Sequence, residues 1–78
     1  MGLIMADFRK KIINASKEQF RANITKHQLN VELLMSNGVG VAEHPDIMAT
    51  IEQELALMAE YQDKLEMLER YFGEGPKL

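Results

Sequence analysis

Cysteine and tryptophan are both missing from this chain. The first absence excludes disulfides and thiolate metal sites, two common supports of very small domains. It is also compatible with a reducing compartment such as the cytoplasm. Aromatic residues make up only 6% of the sequence, and proline occurs only at Pro45 and Pro76. From Met5 to Ser36 there is neither proline nor glycine, the two residues that most penalise a helix interior. No apolar run approaches the roughly 20 residues that span a bilayer. Met1 to Met5 is too short for a signal-peptide core and lacks a cleavage site. Ala6 stands where a myristoylation motif has Ser or Thr. Met5 also reads as an alternative start. No membrane partner is expected.

The 78 residues give room for one small domain, and the 46% hydrophobic and 27% charged content suits a folded chain. A single core is marginal at this size, so with disulfides excluded, oligomerisation is the expected support.

Charge divides the sequence in two. Residues 5–36 carry six basic and three acidic residues, a balance of +3, and residues 45–73 carry two basic and seven acidic, a balance of −5. Between them stands a glycine-containing break, Ser36-Asn37-Gly38-Val39-Gly40-Val41-Ala42-Glu43-His44. The spacing predicts a helix over about 6–36, a loop over 37–44, a second helix over about 45–72 and a tail over 73–78. In the first helix one apolar register reads Met5, Phe8, Ile12, Ala15, and a second reads Phe20, Ile24, His27, Val31, Leu34. The two differ in phase, and Lys17 interrupts them. In the second helix the apolar set is Met48, Ile51, Leu55, Met58, Tyr61, Leu65, Leu68 and Phe72. These are spacings that keep side chains on one helix face.

Asn37 and Gly38 are suited to end the first helix. Pro45 suits the first position of the second, with Asp46 beside the positive end of its dipole. Helices of roughly 40–45 Å, at about 1.5 Å per residue, are expected to fold back antiparallel, residue i near residue 80 minus i. That register sets Lys10 near Glu69, Lys17 near Asp63, Arg21 near Glu60 and Lys26 near Glu54. Such pairs choose orientation, while the apolar seam supplies stability. Two helices leave a wide apolar face wet, so the expected fold is an all-α antiparallel hairpin dimerising into a four-helix bundle. The residues expected to carry self-association are Phe20, Ile24, His27, Val31 and Leu34 on the first helix, with Ile51, Leu55, Met58, Leu65 and Leu68 on the second.

Few residues suggest chemistry. His27 lies in the seam, where it is either a buried ring with a hydrogen-bond partner or a metal ligand or pH-sensitive contact. The Glu-x-x-His pattern of di-metal bundles is missing, because Ile24 and Val41 stand three residues before His27 and His44. The acids of the second helix read as a solvated face pairing with the basic helix. Arg9, Lys10, Lys11, Lys17, Arg21 and Lys26 could contact phosphates, but their own second helix offers a nearer partner. The loop has glycines without a following Gly-Lys-Ser/Thr, so it is no phosphate loop. Val39 and Val41 either cap the bundle or contact another protein. The methionines Met35, Met48, Met58 and Met67 are either gap-filling core or an adaptable surface.

The stretches Ile24-Thr25-Lys26-His27-Gln28-Leu29-Asn30-Val31-Glu32-Leu33-Leu34-Met35, Glu43-His44-Pro45-Asp46-Ile47-Met48 and Lys64-Leu65-Glu66-Met67-Leu68-Glu69-Arg70-Tyr71-Phe72 resemble small helical proteins encoded by T4-like bacteriophages of marine cyanobacteria. The likeness covers Met5 to Phe72. It implies a virus-encoded protein in the host cytoplasm or associated with the virion. It brings no activity and no functional residues. The expected role is thus a non-enzymatic interaction or assembly protein, partnered by itself and by a further protein, with no cofactor, metal or catalytic residue. The alternatives are a nucleic-acid-associated regulator using the basic helix and a metal-dependent enzyme in the bundle core.

Overall fold

The computed structural model describes residues 2–36 and 46–73, with side chains from Ala6 onward. Two α-helices make up the fold, α1 over Gly2–Ser36 and α2 over Ile47–Phe72, packed against each other as an antiparallel hairpin. The described residues contain no strand. No helix is long and apolar enough to cross a membrane.

Both helix starts differ from the sequence expectation. α1 begins at Gly2, a full turn before residue 6. α2 begins at Ile47 because Asp46 is its N-cap rather than a residue of its first turn. The Asp46 backbone is non-helical (φ −135°, ψ 80°), and its carboxylate accepts the Ala49 N–H at 2.9 Å. That bond satisfies one of the amides left unpaired at any helix start. Asp46→Ala should therefore cost about 1 kcal/mol of stability, read as a lower denaturation midpoint.

α2 ends as expected at Gly73, whose N–H donates to the Glu69 carbonyl at 3.2 Å. Its φ of −69° is open to any residue. Glycine is required there by space, since a Cβ would run into the Glu69 carbonyl. Asn37 and Gly38, expected to end α1, and Pro45 lie outside the described residues.

The register follows from the cross-helix contacts. Phe20 meets Tyr61, His27 meets Glu54, and Arg9 meets Phe72, pairs whose numbers each add to 81. Asn30 with Glu54, Lys17 with Glu69, His27 with Tyr61 and Arg21 with Glu69 add to 84, 86, 88 and 90, so the contacts run from one residue above the expected 80 upward. The inward residues of α1 are Ile13, Lys17, Phe20, Ile24, His27, Val31 and Leu34, all buried or half-buried. Their spacing alternates 4 and 3 without a break, so one seam runs the length of the pairing. Lys17 therefore continues the seam instead of interrupting it. The register Met5, Phe8, Ile12, Ala15 is not part of this seam. Ile13 takes the inward position, and Phe8, Ile12 and Ala15 are exposed.

In α2 the inward set is Ile51, Glu54, Met58, Tyr61, Leu65 and Leu68. Met48, Leu55 and Phe72 are exposed, at 80%, 49% and 54%. Leu55 lies off the seam because the 3-4 spacing through Ile51 and Met58 selects Glu54. The core is small. Ile13, Val31 and Leu65 are the buried apolar side chains among the described residues, with His27 beside them. The hairpin is a rod of 60 × 24 × 14 Å, so it is one helix thick and both broad faces are open.

Candidate functional site: a polar cluster in the seam and an open apolar surface

Two features stand out from the helical scaffold. The first is a polar cluster at mid-seam. His27 is 7% exposed. Its Nδ1 lies 2.5 Å from Glu54 Oε2. A carboxylate only accepts, so Nδ1 is the ring nitrogen that carries the proton toward Glu54. The other carboxylate oxygen, Oε1, accepts from the Asn30 side-chain amide at 3.2 Å. Tyr61 stacks on the imidazole, with centroids 6.1 Å apart and planes 12° from parallel. Phe20 lies tilted against Tyr61 at 6.3 Å. The Lys64 ammonium sits 4.9 Å from the Tyr61 ring centre, a cation–π contact, and also pairs with Glu60 at 3.2 Å. Every buried polar side-chain atom among the described residues has a partner.

The hydrogen bond from His27 holds the Glu54 carboxyl below the ordinary glutamate range, with smaller help from Asn30 and Lys26 against partial burial. A group whose folded pKa is depressed contributes stability above its unfolded pKa and loses it as pH falls through the folded value. The hairpin should therefore lose stability on acidification below about pH 4.3, the ordinary glutamate value. Thermal melts across that window should show a shallower fall for Glu54→Gln than for the parent. An unchanged slope would remove Glu54 from the acid response.

Lys26 acts on Glu54 as expected, while the pairs expected for Lys17 and Arg21 settle differently. Lys17 and Arg21 share one acid, Glu69, at 4.0 and 3.3 Å. Glu60 pairs within α2 with Lys64, and Glu54 takes His27 and Asn30 as its direct partners. The expected partners Asp63 for Lys17 and Glu60 for Arg21 are thus replaced by Glu69. The physical reason is reach. Arg21 and Lys17 are one turn apart on α1, and their long side chains converge on one carboxylate. Arg9 donates to the Phe72 carbonyl at 3.4 Å, a cation on the C-terminal carbonyls of α2. Lys11 pairs with Asp7 at 3.5 Å.

The second feature is the open apolar surface. Ten large apolar or aromatic side chains are exposed among the described residues, against three that are buried. On α1 they are not scattered. Phe8, Ile12, Ala15, Ala22, Leu29 and Leu33 are all exposed, and with Gln19 and Lys26 they complete a second 4-3 stripe. At about 100° per residue this stripe lies roughly 150° around α1 from the seam. Near the start of α1 it opens into an apolar groove of about 480 Å³ lined by Phe8, Arg9, Ile12, Ile13, Leu68 and Phe72. At the opposite end Met35 and Met48 are exposed, while Met58 and Met67 are half-buried.

Of the residues assigned to self-association, His27, Val31 and Leu65 are buried within one chain. Phe20, Ile24, Leu34, Ile51, Met58 and Leu68 are half-buried along the same seam, and of the assigned residues Leu55 is the exposed one, at 49%. They close the hairpin first. Val39 and Val41 lie outside the described residues. Ile13, Asn30 and Glu54 were missed as site residues. The signal for Ile13 was the unbroken seam spacing through Lys17. For Glu54 it was the α2 spacing between Ile51 and Met58. No group of three His, Asp or Glu that could hold a metal ion occurs among the described residues.

No protein-family model, curated protein or solved structure matches this chain.

Proposed function

We propose that this chain is a non-enzymatic assembly or adaptor protein that works through self-association of its helical hairpin. The observation that carries the reading is the mismatch, among the described residues, between three buried apolar side chains and ten exposed large apolar ones. Contiguous exposed apolar surface on a small protein marks an association site, and a domain this size gains its missing burial most directly from a second subunit. The resemblance to phage-encoded helical proteins supports a setting as an accessory or structural component in the host cytoplasm. The nucleic-acid reading draws less support. Arg9, Lys11, Lys17 and Arg21 each engage a carbonyl or carboxylate of their own chain.

Absolute molar mass by light scattering on a size-exclusion column, from micromolar protein upward, tests the reading. Twice the 8.9 kDa chain mass, or a higher multiple, is expected. A helical monomer at every concentration would overturn it.

A further inference from the structure

We propose that the outward face of α1 is a two-fold contact, along which a second copy of this chain lies antiparallel with the helices crossing at Ala22. This rests on the self-association reading and names its surface. The stripe Phe8, Ile12, Ala15, Ala22, Leu29, Leu33 is exposed throughout. Its Phe8 and Ile12 end borders the groove shared with Leu68 and Phe72 of α2, and the rest runs along the outer side of α1. The middle position of the stripe is the small Ala22, flanked by Gln19 and Lys26, and the ends are large and apolar. Ala22 lets two helix backbones approach closely at the crossing, since the interaxial distance is set by the side chains at the contact. Bulky side chains then pack on either side of the crossing.

The stripe is self-complementary under a two-fold axis at Ala22. Residue i then faces residue 44 minus i, which sets Ala15 against the partner's Leu29 and Ile12 beside the partner's Leu33. Charges follow the same rule. Glu18 falls opposite the partner's Lys26, and Lys11 lies beside the partner's Glu32. Glu18 and Glu32 have no ion-pair partner among the described residues, and this contact supplies one for each. A parallel arrangement would set Glu18 on the partner's Glu18 and Lys26 on the partner's Lys26, all like charges, so antiparallel is selected. The basic excess of α1 does not oppose the contact, because Arg9, Lys17 and Arg21 reach toward α2. A two-fold axis also gives a closed dimer, the commonest form of homo-oligomer.

The chain has no cysteine, so a single introduced thiol reports on one position. Ala22→Cys should form a disulfide to its own copy on mild oxidation, because an axis at residue 22 brings the two Cα atoms within bridging range. Leu55→Cys, on the other helix, should stay a monomer on a non-reducing gel. In parallel, Glu18→Lys and Lys26→Glu should each weaken the dimer by roughly 3- to 10-fold in Kd. The double charge swap should restore it to within about 2-fold. Ala22→Arg should give a helical monomer, since the site is exposed and the new residue favours helix. If the parent is dimeric but Ala22→Arg stays dimeric and Ala22→Cys does not cross-link, this contact is wrong while self-association stands. If the parent is monomeric at all concentrations, both are wrong.

Discussion

Leu65→Ala should unfold much of the hairpin at ambient temperature, whereas Leu55→Ala should leave it intact. Both substitutions remove the same atoms from the same helix, and alanine favours helix in each case. The difference is burial, 7% exposure against 49%. A buried Leu→Ala change costs about 2–5 kcal/mol through lost transfer energy and the cavity left behind. Surface changes usually fall within about 0.5 kcal/mol. With Ile13, Val31 and Leu65 as its buried apolar side chains, the hairpin has little to set against the first loss. Helicity by circular dichroism, followed through thermal melts, separates the two. Equal melting temperatures for the two variants would mean that Leu65 is not core and that the register is wrong.

His27→Leu should lower the melting temperature, and His27→Leu with Glu54→Leu should raise it to the parent value or above. The single change strips Glu54 of its closest partner and sets a carboxylate against an apolar side chain, and unpaired polar groups in such places are costly. The double change replaces the whole pair with apolar volume, which is often neutral or stabilising. What the double variant should lose is definition of register. A slip of seven residues in the parent would set Glu54 against Phe20 or Leu34, a strong penalty. Without the pair the slipped hairpins become nearly equivalent. Broadened amide resonances alongside an undiminished melting temperature would show this. A double variant less stable than His27→Leu would instead make the pair a net contributor.

Much of the hairpin could be read from spacing and punctuation. The long segment free of Gly and Pro became α1, and Gly73 ended α2. The register of Phe20 with Tyr61 and His27 with Glu54 lies one residue from the expected 80 because the seam spacing constrains it, whereas the long Lys17 and Arg21 side chains reach past their opposed acids to Glu69. The error over Ile13 has a clear origin. Phe8 and Ile12 are as apolar as Ile13, and α1 carries two stripes at the same spacing. Periodicity alone cannot say which stripe meets the neighbouring helix. Sequence places Glu54 on a solvated face paired with Lys26, because composition assigns glutamate to the surface. Only the cross-helix pairing with His27 and Asn30 makes a seam glutamate tolerable, and that pairing is a three-dimensional fact. Asp46 was read as dipole complement instead of cap, a distinction of one residue that depends on backbone angles.

The meeting of Arg9 with Phe72 brings the two ends of the described hairpin together at one tip, while Ser36 and Asp46 stand at the other. Polarity along the rod follows. A fluorophore at Gly73 would sit roughly 40 Å from a label at Ser36, at about 1.5 Å for each residue of α1 between Arg9 and Ser36. Within one chain the straight run of α1 therefore keeps these two ends apart.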